Sequence, residues 1–385
     1  METRGGQALT KRILLLSAYH AASHDYWLQG LLNALPEYHW TVLTLPARYF
    51  NWRIRGNPLS WVSQESEALT GDYDLLIATS TVDVATLKGL VPTLATCPTA
   101  VYFHENQFAY PRSPQQAKHQ RVEPQMVNLY AALAADSLWF NSPYNRSSFL
   151  EGCRSLMRAL PDHVPAMPWL DALDSRARVL PVPLNPVGVA ERRPSHTLRL
   201  VWNHRWEYDK GIDGLCLAVD ALCERGIKVE LTLLGQRFRQ CPEAAEALVK
   251  RLRTDRASVT LVENQFIESR AAYFELLAMQ DVVLSTALHD FQGLAIMDAV
   301  QAGCIPLVPD RLCYPDFFAD EYLYASSPNS PESEAKALVD KLALWIGQPS
   351  SRPAVPDLGY LEWPQRCADY RDAIERCIEG RKQKG

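Results

Sequence analysis

Short apolar runs alternate with longer amphipathic stretches along the whole chain. Residues 12–17, 40–45, 73–79, 99–103 and 137–141 are rich in aliphatic and aromatic side chains and have the length of strands. Residues 24–35, 61–69, 124–135 and 143–160 carry helical spacing. Near-continuous apolar strands alternating with helices predict a parallel sheet covered on both faces. A proline-rich stretch at 180–187, followed by Arg192-Arg-Pro194, breaks this pattern and reads as a linker. The alternation then restarts. Strands are expected at 198–203, 228–234, 259–262, 282–285 and 305–308, with helices at 212–225, 243–254, 269–279, 294–302 and 333–346. One more helix is expected at 363–378. The pattern predicts an α/β protein of two Rossmann-like, doubly wound domains. We place them at residues 1–185 and 197–347, with 362–385 as a C-terminal helix packing back on the first. Ligands of such sheets bind beyond the carboxyl ends of the strands, so two facing domains would form a cleft.

Length and charge narrow the picture. A chain of 385 residues can build two cores, and 47% hydrophobic with 22% charged residues is ordinary for a globular protein. No apolar run is long enough to span a bilayer, and the N-terminus has no apolar stretch of signal type, so a cytoplasmic protein with no membrane partner is expected. Nine scattered cysteines without a C-x-x-C pair argue for reduced thiols and against a zinc site or a disulfide frame. The net charge is −5 and neither half is basic, so a nucleic-acid partner would need a local patch. Nothing in the sequence sets an oligomeric state.

Chemistry concentrates after two strands of the second domain. In the segment from Ser285 to Gly303, a polar loop leads into a helix that Gly293 opens without a side chain of its own. A helix start offers free amides and the positive end of the dipole, which suits a phosphate; Leu294 and Ala295 supply those amides. Asp290 stands just before the helix and Asp298 more than a turn inside it, so the two acids could meet opposite ends of one ligand. The bland alternative is a strand–loop–helix unit with two surface acids. Asn203-His-Arg-Trp-Glu-Tyr-Asp-Lys-Gly211 also follows a strand. Its Arg205 and Lys210 could hold a diphosphate and stabilise its charge as it departs. Gln236 and Phe266, at the ends of two further strands, are placed to hold a nucleoside.

The first domain has its own candidates. His104, Glu105 and Asn106 end a strand and face the ligand side by the same rule. Ser23 and His24 close the first strand-to-helix turn, with Ser23 a suitable N-cap. The segment 48–61 holds Arg48, Arg53 and Arg55, four aromatics including Trp52, and no acid. Guanidinium groups pair with phosphates and aromatics stack on unpaired bases, although a loop whose aromatics pack on the core explains the same composition.

Together these motifs resemble the family 4 retaining glycosyltransferases of GT-B fold. Asp290 and Asp298 stand at the two glutamates of an E-x7-E motif, Gln292 replaces its Phe, and Arg205 and Lys210 match an Arg-x4-Lys-Gly motif. Leu45-Pro-Ala47 with Trp52-Arg53, Tyr102-Phe-His-Glu-Asn-Gln107, Phe140-Asn-Ser142, Pro161-Asp-His163, Trp202-Asn-His-Arg-Trp-Glu207 and Tyr314-Pro315 make the chain more closely similar to the tRNA-queuosine mannosyltransferases. That resemblance implies GDP-mannose as donor, queuosine in a tRNA anticodon as acceptor, and retention of configuration with no metal or other cofactor. It also implies that His104 approaches the transferred sugar. The residues themselves leave the sugar, the base and the acceptor open. A transferase acting on a small-molecule or lipid acceptor, and a catalytically silent nucleotide-sugar or RNA-binding module, stay alongside.

Overall fold

The computed structural model describes residues 10–110, 122–160, 167–188, 195–237, 243–254 and 258–382. These residues fall into two compact units. One holds the chain up to Tyr110, the stretch that ends at Asn185, and the segment from Leu361 onward; the other runs over Pro186–Tyr360.

The first unit is built on a six-stranded parallel sheet of β1 (Arg12–His20), β2 (His39–Pro46), β3 (Leu75–Thr79), β4 (Thr99–Phe103), β5 (Ser137–Phe140) and β6 (Ala177–Val179), in the order β2-β1-β3-β4-β5-β6. Alternate residues of four strands, Leu14 and Leu16, Leu76 and Ala78, Val101 and Phe103, Leu138 and Phe140, share one core cluster. Their neighbours Ile13, Leu15, Leu75, Ile77, Tyr102 and Trp139 are equally buried. Both faces are covered, which is why these strands read as apolar runs rather than alternations. The helix Trp363–Lys382 covers part of the second face. Its Tyr370 hydroxyl accepts from Trp27 Nε1 at 3.1 Å and donates to the Tyr102 hydroxyl at 3.1 Å. The proline-rich stretch is tied to the start of this helix by backbone bonds between Leu184 and both Leu361 and Trp363. Arg192–Pro194 lie outside the described residues.

The second unit repeats the plan with β7 (Leu198–Asn203), β8 (Val229–Leu234), β9 (Val259–Gln265), β10 (Val282–Leu284), β11 (Ile305–Pro309) and β12 (Leu323–Tyr324), in the order β12-β11-β10-β7-β8-β9. β7 lies between β10 and β8. Trp202 is level with Leu284, and Asn203 with Leu234. The loops after these three strands therefore leave the sheet side by side.

The structure departs from expectation most at residues 48–69. In place of a loop and a helix from residue 61, one helix runs Phe50–Gln64 and a short one Ser66–Leu69. Pro58 sits inside the longer helix. Proline takes away the amide that would bond the Ile54 carbonyl. The Asn57 side chain substitutes, its Nδ2 donating at 3.4 Å to Ile54 and at 2.7 Å to the Arg53 carbonyl. Ser23 is not the N-cap of its helix: Ala22–Ala34 starts two residues earlier than expected, with Ala21 at the cap and no side-chain bond there. β3 starts at Leu75 rather than at residue 73, and the helices Val84–Leu90, Pro92–Ala95, Met167–Arg176 and Tyr314–Phe317, like β6 and β12, were not anticipated. Among the described residues no helix is long and apolar enough to cross a membrane.

Candidate active site

In the second unit, the loops after β7 and β10 lock together. Leu288 and His289 amides both donate to the Asp209 carbonyl, at 2.9 and 3.1 Å, and Thr286 Oγ1 donates to the Lys210 carbonyl at 3.0 Å. Gly211 permits this approach. Its φ is +67°, and a Cβ there would overlap the Thr286 carbonyl oxygen. The close fit buries Lys210, whose Nζ donates to the His289 carbonyl at 2.8 Å and lies 3.6 Å from Asp290 Oδ2 and 3.3 Å from Asp209 Oδ2. Burial would depress this ammonium, but the carboxylates of Asp290 and Asp209 outweigh it and hold its pKa above the usual value. Burial likewise opposes ionisation of Asp290. The Lys210 charge, aided by His204, His289 and the Tyr314 hydroxyl, wins and keeps Asp290 below the ordinary carboxylate range. The pair is therefore ionised on both sides.

Asp290 is also held in place. Its Oδ1 accepts from the Gly293 amide at 3.2 Å and its Oδ2 from the Tyr314 hydroxyl at 3.2 Å. Behind Tyr314 stands a relay that the sequence did not reveal. The Tyr314 hydroxyl is 2.6 Å from Ser285 Oγ, which is 3.0 Å from His204 Nε2. Burial, then the Lys210 charge, pushes His204 down to about 3, so its ring is neutral. A relay ending on a carboxylate then needs His204 to carry its proton on Nε2, donating to Ser285, which donates to Tyr314, which donates to Asp290.

Gly293, at φ +76°, caps the helix Leu294–Gln301 and lies under the Tyr314 ring. Leu294 and Ala295 are its first two residues, so no carbonyl a turn earlier in the helix accepts from their amides. Asn203 Nδ2 steadies this turn, donating at 2.6 Å to the Ala295 carbonyl and at 2.6 Å to the Tyr273 hydroxyl. Tyr273 in turn donates to Asp298 Oδ2 at 3.5 Å, and Arg270 reaches Asp298 Oδ1 at 3.5 Å. These long contacts do not offset burial, which raises Asp298 to about 6. Tyr273 and Arg270, which meet Asp298, and Asn203, which meets Tyr273 and the Ala295 carbonyl, were missed in the sequence because these contacts form only through the fold. Arg205 is half exposed and pairs with Glu207 at 3.1 Å. Gln236 is exposed and its carbonyl accepts from the Trp206 amide, while Phe266 is exposed at the end of β9.

In the first unit, His104 and His24 are both buried, with ring centroids 4.1 Å apart and planes 24° from parallel. Trp27 meets the edge of His104 at 4.9 Å. Burial, then the neighbouring histidines, holds His104 well below its usual value and takes His24 to about 3. Two neutral imidazoles can stack without repulsion, and His104 Nε2 has no hydrogen-bond partner in the structure. Asn106 is otherwise committed. Its Nδ2 donates to Asn145 and Ser148, and its Oδ1 accepts from the Phe108 and Ala109 amides. Glu105 is half-buried beside it and Ser23 is exposed. Arg48 and Trp52 are exposed and Arg53 is half-buried. Arg55 does not belong to an acid-free patch in space: it pairs with Asp83 at 2.5 Å and lies 3.4 Å from Glu123, both supplied by other parts of the chain. Pro161–His163 lie outside the described residues.

This architecture recurs in solved structures. Sucrose-phosphate synthase from Thermosynechococcus elongatus matches with a TM-score of 0.68 at 14% identity, covering 96% of this chain and 100% of that one. A trehalose-6-phosphate protein from E. coli bound with UDP-2-fluoro glucose matches at 0.59 and 14%, with 97% of each chain covered. A glycosyltransferase from Rickettsia africae matches at 0.59 and 10%, covering 96% and 99%. The fold is therefore that of the GT-B glycosyltransferases. At the level of sequence, residues 12–184 match the model of the tRNA-queuosine alpha-mannosyltransferase N-terminal region. A Drosophila melanogaster protein named tRNA-queuosine alpha-mannosyltransferase is 31% identical over 335 residues, covering 82% of this chain and 84% of its own. The chain belongs to the tRNA-queuosine alpha-mannosyltransferase family.

Proposed function

We propose that this protein transfers mannose from GDP-mannose to the queuosine of a tRNA anticodon, with retention of configuration. The observation that carries the reading is the 31% identity to the Drosophila relative over 82% of the chain, a span too long to leave out either unit. The geometry supports the donor half. Lys210 is a buried, charged ammonium beside the glycine-opened helix start, and Arg205 is a second cation on the same loop. These groups, with the Leu294 and Ala295 amides, would hold the diphosphate and take up its charge as it leaves. Asp298, gripped only at 3.5 Å, is suited to exchange its protein contacts for ribose hydroxyls.

The reaction is a front-face displacement. The bond from the anomeric carbon to the diphosphate oxygen breaks. The acceptor hydroxyl bonds to that carbon on the same face, and its proton passes to the departing phosphate. Asp290 is a poor covalent nucleophile because an ammonium, an amide and a hydroxyl already engage its oxygens. Its role is to orient the sugar. His104 is assigned to the sugar by family resemblance, and its unpartnered Nε2 supports that assignment. The protein works in the cytoplasm in this reading and needs no metal. Incubating it with bulk tRNA and a panel of nucleotide-sugars, with and without a chelator, tests the proposal. Mass spectrometry should find hexosylated queuosine with GDP-mannose alone and unchanged by the chelator. A product on a small molecule or lipid, or tight GDP binding with no product, refutes it.

A further inference from the structure

Tyr49 is a bulky residue in the left-handed region, with φ 56° and ψ 52°. Such a conformation costs about 1–2 kcal/mol in a residue other than glycine. No packing of the ring compensates, because Tyr49 is 72% exposed. Trp52, one turn further along the helix Phe50–Gln64, is 52% exposed. Its indole lies against Gly56: a Cβ at that position would be 2.5 Å from Cε2 and 2.7 Å from Cδ2. Glycine in mid-helix is unfavourable by about 1 kcal/mol relative to alanine, so here too a local cost keeps an aromatic ring in one place. One side of the indole rests on the helix, and about half of the side chain stays open. The Arg48 guanidinium is 5.7 Å from the Tyr49 ring centroid and is exposed. Phe50 and Trp61 anchor the helix, Phe50 against Tyr19 at 5.6 Å and Trp61 fully buried.

We propose that Tyr49 and Trp52, the latter seated on Gly56, form a stacking platform for unpaired bases of an RNA loop, with Arg48 taking an adjacent phosphate. The proposal rests on the tRNA reading above. Charge identifies the occupant. A chain of net charge −5 repels a polyanion as a whole, so attraction must be local: Arg55 is committed to Asp83 and Glu123, whereas Arg48 places an exposed guanidinium beside the two rings. Exposed rings beside a guanidinium suit bases joined by phosphates, whose π-faces stack in any sequence. Tyr49 and Gly56 carry this inference and were not among the acceptor residues expected from sequence.

The test is fluorescence anisotropy with a labelled anticodon stem–loop, compared with a fully paired duplex. Tyr49→Ala and Trp52→Ala should each weaken stem–loop binding about tenfold and leave duplex and GDP binding unchanged. Gly56→Ala should weaken it too while favouring the helix. Tyr49→Gly separates function from folding. Relief of the left-handed strain should raise the melting temperature while binding falls. Trp52→Phe should retain part of the affinity. Stem–loop binding at wild-type strength in Tyr49→Ala and Trp52→Ala overturns the proposal, as does an equal loss on duplex, or capture of a protein ligand by this surface instead of RNA. Sugar transfer by the wild type is scored separately. Its absence counts against the proposed function, whereas normal transfer with unaltered binding in the variants counts against the platform alone.

Discussion

Replacing Lys210 with alanine should cripple the protein in two separable ways. Its ammonium is buried and lies 3.3 Å from Asp209 and 3.6 Å from Asp290. Removing it leaves two carboxylates without their cation. Breaking a buried pair by deleting one partner costs about 3–5 kcal/mol, so the melting temperature should fall by on the order of 10 °C. The pH dependence fixes the cause. In the native protein Asp290 is held below its ordinary value of 3.8, so its contribution is present above that pH and is lost as pH falls through the lowered value. Without Lys210 the burial effect dominates and the folded-state value rises above 3.8. The carboxylate then disfavours folding increasingly as pH rises. The gap in stability between native protein and variant should therefore be wider at pH 7 than at pH 5. Differential scanning calorimetry at both pH values reads this directly. Below the variant's transition, transfer should still be slower by roughly a hundredfold, about 3 kcal/mol of lost stabilisation of the leaving group. A variant that melts with the native protein, or a stability gap that narrows toward pH 7, would refute the ion-pair argument. Near-native turnover would remove Lys210 from the reaction.

Asp290→Ala should abolish transfer while GDP still binds, whereas Asp298→Asn should weaken GDP binding; calorimetric titration showing the reverse would sink this division of roles. Because Asp298 sits at about 6, GDP affinity should rise with pH through that value, as the acid ionises and can accept from the ribose, and the profile should flatten in Asp298→Asn. Gly211→Ala should be far more damaging in urea unfolding than Gly293→Ala. A Cβ at 211 overlaps the Thr286 backbone, whereas one at 293 lies 3.1 Å from the Tyr314 ring, which can shift slightly. Equal losses would mean that φ strain rather than overlap sets the cost. Arg55→Ala should lower thermal stability yet leave the salt slope of tRNA binding intact, because Arg55 is tied to Asp83 and Glu123; Arg48→Ala should lower that slope by about one unit and leave stability alone.

Apolar runs were the legible part of the fold. Strands such as β3, β4 and β10 are buried on both faces, so burial writes them into the sequence as unbroken hydrophobic stretches. β6 and β12, three and two residues long, leave too short a signal. The helix Phe50–Gln64 was hidden because Gly56, Asn57 and Pro58 in succession all oppose helix formation. Only the structure shows that Asn57 covers the carbonyl that Pro58 abandons. In the loops after β7 and β10, Lys210, Asp290 and Gly293 were each visible from local spacing. Their meeting was not, because it depends on β10 pairing with β7 across some eighty residues of chain. The relay from His204 through Ser285 and Tyr314 to Asp290 was invisible for the same reason, although His204 and Tyr314 both lie in quoted motifs.

The two acids at the helix Leu294–Gln301 share a residue type and burial, but their pKa values are pushed in opposite directions. Asp290 has an ammonium at 3.6 Å, an amide and a directed hydroxyl, and is driven to ionise. Asp298 has a half-exposed guanidinium and a phenol, each at 3.5 Å, and burial wins. In the proposed reaction, an ionised group with every contact satisfied would be a rigid gauge for a sugar hydroxyl. One that titrates near 6 with loose contacts gains its partners when a ligand arrives. Aspartate suits this division. At 290 a longer side chain would have to move off the Gly293 amide or the Lys210 ammonium to fit between Tyr314 and the helix start. At 298 the shorter carboxylate leaves the contacts with Tyr273 and Arg270 long. Exchanging each for glutamate should therefore act in opposite directions. Asp290→Glu should cost transfer, whereas Asp298→Glu should tighten the protein's own grip on the carboxylate and move its pKa down from about 6 toward the ordinary range.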